Sequence, residues 1–105
     1  MMNSLVGLAL MLSAVLGPGY VPQTDAPVFV EAFPQRSQLG ATFAYVPFSE
    51  PKVIIIQPWV FADLQMARHV LAHEEGHLLY GNSEKTAEAY ACEVEPTRCG
   101  YLLTE

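Results

Sequence analysis

The chain has 105 residues, enough for one small domain near the lower size limit at which a protein buries a core unaided. Eleven acidic residues against five basic ones give a formal net charge of -6, and this balance argues against a nucleic-acid-binding face. Because such a core is small, a bound metal ion or a disulfide would contribute much of the stability.

The N-terminus has the pattern of an export signal. An apolar core of twelve residues, Leu5 to Leu16, is too short to span a bilayer comfortably but matches the apolar region of a signal peptide. The Gly-Pro-Gly segment 17–19 ends this run, although no Lys or Arg precedes it. The alternative is a buried N-terminal helix. We predict that residues 1–19 are a signal peptide or N-terminal anchor, and that the protein is secreted or extracytoplasmic, and membrane-anchored if this segment is not cleaved.

Residues 20–38 are rich in Pro, Gln, Thr and Ser, and their three prolines exclude a helix. This pattern predicts a linker or extended arm, in which Val28–Val30 is a candidate for one short strand. The remaining residues, 39–105, are predicted to form the folded domain.

Two strand candidates open this domain. Ala41 to Phe48 alternates loosely between apolar and other side chains. Lys52 to Gln57 contains a continuous β-branched run, 53–56, between two prolines, which favours a strand over a helix. Because the connector, residues 49–51, has the length of an ordinary turn, we predict an antiparallel hairpin.

A long helix is predicted next, continuing to Tyr80, with either Gln57 or Asp63 as the cap at its start. Ser83 is a good N-cap for a second helix from Glu84 to about Val94. These elements predict an α+β fold. A small two- or three-stranded sheet packs on the long helix, and the second helix lies antiparallel or steeply crossed beneath it.

The long helix carries a His-Glu-x-x-His motif. His73 and His77 are four residues apart, so their imidazoles lie on one face at the separation at which two ring nitrogens share a tetrahedral zinc ion. Glu74 would lie beside the metal as a general base rather than as a ligand. Gly76 costs about 1 kcal/mol relative to Ala inside a helix, which suggests that a partner helix or a substrate backbone approaches there.

A catalytic zinc site usually has a third protein ligand. If the helices fold back at Gly81, His77 lies level with Glu84 and His73 lies level with Glu88. Glu84 would then complete the ligand set, and Glu88 would orient His73 through its second ring nitrogen. Two alternatives stay open: Glu88 is the ligand, or both acids belong to a solvated helix face.

These two motifs resemble those of the gluzincin branch of zinc metallopeptidases, in which HExxH is followed by Glu-x-x-x-Asp on a later helix. Segment 84–91 is similar to the second motif, with Glu88 in the Asp position, and the small single-domain minigluzincins are similar in size. The resemblance covers about residues 53–91. It departs from the family in the short connection between the motifs and in Glu for Asp.

The resemblance implies hydrolysis of peptide bonds. It assigns Zn²⁺ to His73, His77 and Glu84, and it makes Glu74 the base on a zinc-bound water. The expected partner is a peptide or protein substrate, with no nucleic acid and with membrane contact only through an uncleaved N-terminal segment. A competing interpretation is a non-catalytic zinc-stabilised module, such as a pseudo-peptidase or an inhibitor.

In this family the substrate binds as an extra strand along a sheet edge, which Lys52–Gln57 or Ala41–Phe48 would supply here. Three tyrosines have the chemistry of an oxyanion donor, and the sequence does not distinguish among them: Tyr80, Tyr90 and Tyr101.

His69 lies one turn before the first histidine of the motif, so it either touches the site or is a hydrogen-bonded structural histidine or an exposed one. Cys92 and Cys99 straddle the end of the second helix. In an exported protein this even pair predicts a local disulfide, whereas in a reducing compartment it would be two free thiols.

Overall fold

The computed structural model of the chain describes residues 24–33, 43–47 and 52–100. They form an α+β fold with a three-stranded mixed sheet and two helices, as predicted. The predicted signal segment 1–19 and the predicted boundary between the arm and the domain, at residue 39, lie outside these residues. None of the described helices combines the length and the apolar character that crossing a membrane requires.

The sheet is built around a central strand, β3, Ile54–Ile56. Strand β1, Val28–Val30, pairs with it in parallel, and strand β2, Ala44–Tyr45, pairs with it antiparallel. The side chains of Ile54 and Ile56 are fully buried on one face of the sheet. The strand predicted within the arm and the predicted antiparallel pairing are therefore confirmed, although the turn at residues 48–51 lies outside the described residues.

The expectation that Lys52–Gln57 supplies a sheet edge is wrong, because β3 has a hydrogen-bonded neighbour on each side. On the β1 side, the N–H of Ile54 donates to the carbonyl oxygen of Pro27 at 2.9 Å. On the β2 side, the N–H of Gln57 donates to the carbonyl oxygen of Phe43 at 2.9 Å. Among the described strands, the other candidate for the edge, β2, does occupy an outer position.

Helix α1, Leu64–Tyr80, follows a short 3-10 helix, Pro58–Ala62. Both predicted start positions are used, each by a different helix. Gln57 precedes the 3-10 helix, whose proline needs no N–H partner at that position. Asp63 caps α1, since its carboxylate accepts the N–H of Met66 at 3.1 Å.

Helix α2, Glu84–Val94, begins as predicted at Ser83, whose hydroxyl accepts the N–H of Thr86 at 3.1 Å. After α2 a single 3-10 turn, Pro96–Arg98, folds the chain back toward the helix. This return allows the predicted disulfide, Cys92–Cys99, to form.

Helix α1 lies between the sheet and α2 and is buried from both sides. On the sheet side it contributes to one apolar core, whose buried members are Ala44, Ile54, Ile56, Val60, Met66, Ala67, Val70 and Leu71. On the other side α2 presents two fully buried small residues, Ala87 and Ala91. Because both flanks are covered, the polar residues 73–75 of the HExxH motif are buried with the helix that carries them.

Gly76 lies where α1 and α2 touch. A Cβ atom on Gly76 would lie 2.9 Å from both the Cα and the carbonyl oxygen of Ala87. These are backbone atoms, which cannot move aside as a flexible side chain can. Of the two reasons expected for a glycine here, the structure therefore provides the partner helix, and this contact sets the helix spacing beside the motif.

We expect Gly76→Ala to destabilise the protein even though alanine is the better helix former. The added methyl group would overpack the contact and force the helices apart, which should lower the free energy of unfolding by about 1–3 kcal/mol or more. The better helix propensity of alanine should raise it by only about 1 kcal/mol. Urea unfolding would measure the net change in the free energy of unfolding. A variant at least as stable as the parent would show that the helices can separate without penalty.

Candidate metal centre

Three metal-binding side chains meet at the end of α1 and the start of α2. His73 and His77 lie one turn apart on α1, with ring centroids 4.9 Å apart. Glu84 is in the first turn of α2. The chain reverses at Gly81, whose φ of +102° lies in a region that favours glycine. As a result, one potential ligand atom from each of the three side chains lies within 4.8 Å of the others.

The carboxylate of Glu84 bridges the two imidazoles. Its Oε1 lies 2.9 Å from Nε2 of His73, and its Oε2 lies 3.1 Å from Nε2 of His77. The predicted contact between His77 and Glu84 is present, and Glu84 also reaches His73, which the simple fold-back argument did not indicate. Both Nε2 atoms therefore face the same carboxylate.

The other nitrogen of each ring is held by a different acceptor. Nδ1 of His73 lies 2.7 Å from Oε1 of Glu88, the contact that the sequence predicted. Nδ1 of His77 lies 2.9 Å from the carbonyl oxygen of Gly81. Hydrogen bonds of this kind fix the ring orientation and tautomer of metal-binding histidines. With each Nδ1–H donating to its acceptor, both Nε2 atoms are the nitrogens left for a metal.

The ionisable side chains of the site shift one another's pKa values. Burial lowers the pKa of both histidines, but the hydrogen bonds that they donate to Glu84 and the nearby charge of Glu74 more than offset this effect. The pKa of His73 thus lies above its usual 6.5, and that of His77 rises to about 9. Hydrogen bonds from both imidazoles hold the pKa of Glu84 well below its usual range.

The donor set could hold a divalent metal ion. Ligand atoms about 2 Å from a tetrahedral zinc ion lie roughly 3.3 Å apart. The contacts of Glu84 with the two Nε2 atoms, at 2.9 and 3.1 Å, are close to this spacing, and all three ligand atoms lie within 4.8 Å of one another. The side chain of His73 is 3 % exposed and that of Glu84 is 66 % exposed, so solvent reaches the group from the Glu84 side. His73, His77 and Glu84 could therefore hold a metal ion at a site that is buried on the His73 side and open to solvent on the Glu84 side.

The two glutamates between the histidines face different surroundings. Glu74 is buried, and it is near enough to both imidazoles for its charge to raise their pKa values. Glu75 accepts hydrogen bonds from the N–H and the hydroxyl of Thr24, at 3.3 and 3.5 Å, and so contacts the segment that leads into β1. Only Glu74 has the surroundings expected of a group acting at the metal.

His69 lies behind the site rather than in it. Its ring is buried and hydrogen-bonded to Glu88 and to the backbone of Glu95, and it is not one of the three converging side chains. The spacing of residues 69, 73 and 77 places all three histidines on one helix face. Because Glu88 was predicted to contact His73, the same spacing could have indicated that Glu88 also lies close to His69, one turn away.

The tyrosines do not identify an oxyanion donor. Tyr80 and Tyr90 pack against each other with ring centroids 5.6 Å apart, although Tyr80 is largely exposed. Burial and the charge of Glu75 raise the pKa of Tyr90. Tyr101 lies outside the described residues.

Metal binding should depend on pH in a defined direction. The pKa of His77 is raised to about 9, so in the metal-free protein its imidazole holds a proton at pH 7 that a metal must displace from Nε2. The pKa of His73 is also raised, so its ionisation acts in the same direction. We expect the apparent zinc affinity to rise from pH 6.5 toward pH 8.5, by about tenfold per unit for each proton released. Competition with a zinc chelator of known affinity would measure this slope. An affinity that is flat above pH 7 would contradict it.

The chain finds no match among protein-family models, curated proteins or solved structures. The contacts of the site bring together His73, His77 and Glu84, with a different acceptor behind each imidazole.

Proposed function

We propose that the protein is a zinc-dependent metallopeptidase of the gluzincin type. His73, His77 and Glu84 bind the metal, and Glu74 is the general base. The observation that carries this proposal is the convergence of both Nε2 atoms on one carboxylate while both Nδ1 atoms are hydrogen-bonded elsewhere.

Zinc is the metal that suits this set of ligands. Magnesium and calcium favour sites made of oxygen ligands, whereas two imidazoles and a carboxylate are a common catalytic zinc set. Structural zinc sites usually have four protein ligands, and the group found among the described residues has three. When bound, zinc would polarise the scissile carbonyl and lower the pKa of a water molecule.

Glu74 is proposed to take a proton from the attacking water and to deliver it to the leaving amine. Its charge acts on both imidazoles, which supports a position beside the ligands. A purely structural site needs ligands but no base. The presence of Glu74 therefore favours catalysis over the alternative, a non-catalytic zinc-stabilised module.

The substrate is proposed to be an extended peptide that adds to the outer strand β2, using its backbone hydrogen-bonding groups. It would approach the metal from the exposed Glu84 side. The disulfide Cys92–Cys99 is consistent with an oxidising compartment. Together with the apolar N-terminal segment, it supports the proposal that the protein is exported.

Cleavage of an internally quenched peptide library by the pure, oxidised protein tests this function. We expect cleavage that is lost on metal chelation and restored by added zinc. A protein that binds one zinc ion tightly and cleaves no peptide of the library would be the non-catalytic module instead.

A further inference from the structure

Behind the proposed ligands, Glu88 is a buried carboxylate with three donors. Its side chain accepts a hydrogen bond from His73 on Oε1, at 2.7 Å. On Oε2 it accepts two more, from Nε2 of His69 at 2.5 Å and from the N–H of Gly100 at 2.7 Å. Glu88 is only 1 % exposed, so these donors replace the water that would otherwise solvate its charge.

His69 is itself held at both ring nitrogens. Nε2 is hydrogen-bonded to the carboxylate of Glu88, and Nδ1 lies 2.7 Å from the carbonyl oxygen of Glu95, just beyond the end of α2. The ring is fully buried, at 0 % exposure. It cannot turn without breaking both contacts, so it presents Nε2–H to Glu88 in a fixed direction.

The length of the Glu88 side chain explains why such an anchor matters. A glutamate has one more rotatable bond than an aspartate, so its carboxylate has more orientations to lose. Among the described residues, the hydrogen bond that Oε1 accepts is the one from His73, and the position of Oε1 therefore depends on what holds Oε2. One of the two donors on Oε2 is Gly100, which the disulfide brings back against α2. The other is His69.

We propose that His69 is a positioning residue of the metal centre. Together with the N–H of Gly100 it clamps Oε2 of Glu88, so that Oε1 holds the ring of His73 with its Nε2 directed at Glu84. This inference rests on the metal site of the proposed function, but not on any peptidase activity. The competing explanation is that His69 only stabilises the core.

Two substitutions at His69 separate these explanations, because each keeps one of its two donors. The amide nitrogen of glutamine can occupy the place of Nε2, so His69→Gln retains the bond to Glu88 and loses the one to Glu95. The amide nitrogen of asparagine can occupy the place of Nδ1, so His69→Asn does the reverse. Each variant loses one buried hydrogen bond, so the two should be destabilised to a similar extent, and each serves as the control for the other.

The readout is the affinity for Zn²⁺ by chelator competition, together with the visible absorption spectrum of the Co²⁺-loaded protein. We expect His69→Asn to bind zinc roughly 10- to 100-fold more weakly than the parent and to change the Co²⁺ spectrum, as loss of a group supporting a ligating histidine typically does. His69→Gln should bind within about threefold of the parent, because the donor to Glu88 is kept. Equal weakening in both variants, or no weakening in either, would overturn the inference.

If neither variant folds, the parent protein provides the test. We expect the ring N–H signal of His69 to exchange slowly in ¹⁵N NMR spectra and to shift when Zn²⁺ is added, because Glu88 links that ring to His73. A signal that zinc leaves unmoved would overturn the inference while leaving the metal site intact. A parent protein that binds no zinc would instead remove the metal site itself, and this inference with it.

Discussion

Glu84→Gln should lower zinc affinity more than any other single change on α2. The carboxylate of Glu84 is the only acidic group among the three converging side chains, and it contacts Nε2 of both His73 and His77. Glutamine is uncharged, so it cannot balance the positive charge of the metal ion as the carboxylate does. We therefore expect a loss of more than about 100-fold, beyond the range typical for groups that only support a ligand. Chelator competition at pH 7.5 would measure it.

Two variants on the same helix are the controls. Glu93→Gln makes the same change of charge at an exposed position and should alter zinc affinity by no more than about twofold, because exposed charges are screened. Glu88→Gln should weaken binding by roughly 10- to 100-fold, since Glu88 orients His73. A larger loss for Glu88→Gln than for Glu84→Gln would reverse the roles and make Glu88 the ligand.

Glu74→Gln should abolish peptide cleavage while zinc remains bound. Glutamine has the shape of glutamate but cannot take a proton from water, and Glu74 is not one of the converging ligands. We expect kcat to fall by about 10²- to 10⁴-fold, the usual contribution of a general base. The zinc content of the variant, measured on the same sample, should equal that of the parent.

The matched control is Glu75→Gln, one residue further along the same helix. Glu75 accepts hydrogen bonds from Thr24, which an amide oxygen can also accept. Unlike Glu74, it is not among the charges that shift the pKa values of the two imidazoles. This variant should keep both zinc and activity. Equal loss of activity in the two variants would mean that the motif serves stability rather than proton transfer, and full activity of Glu74→Gln would exclude Glu74 as the base.

The elements that the sequence predicted correctly depend on local signals. Helix caps such as Asp63 and Ser83 act within four residues, and the disulfide joins cysteines that are seven residues apart. The order of the strands does not depend on such signals. Strand β1 pairs with β3 across a long stretch of chain, and this pairing makes β3 central rather than an edge. The continuous β-branched run at 53–56 was the available clue, since such runs are typical of well-buried strands, although Ile55 is only half-buried here.

In the site, helix geometry predicted which side chains meet, because residues four apart share a face and a tight reversal brings two such faces together. It could not predict contacts made by the backbone. The carbonyl oxygen of Gly81 holds His77 only because of the conformation of the reversal, and the N–H of Gly100 reaches Glu88 only where the disulfide returns the chain. His69 went unassigned for the same reason: one of its two partners is the backbone of Glu95.

Anomalous diffraction at the zinc absorption edge, from crystals grown with one equivalent of Zn²⁺, tests the metal centre most directly. We expect a single strong peak about 2.0–2.2 Å from Nε2 of His73, from Nε2 of His77 and from a carboxylate oxygen of Glu84. An empty position there, or imidazoles turned away from each other with zinc held elsewhere, would contradict the proposed site and the hydrolase built on it.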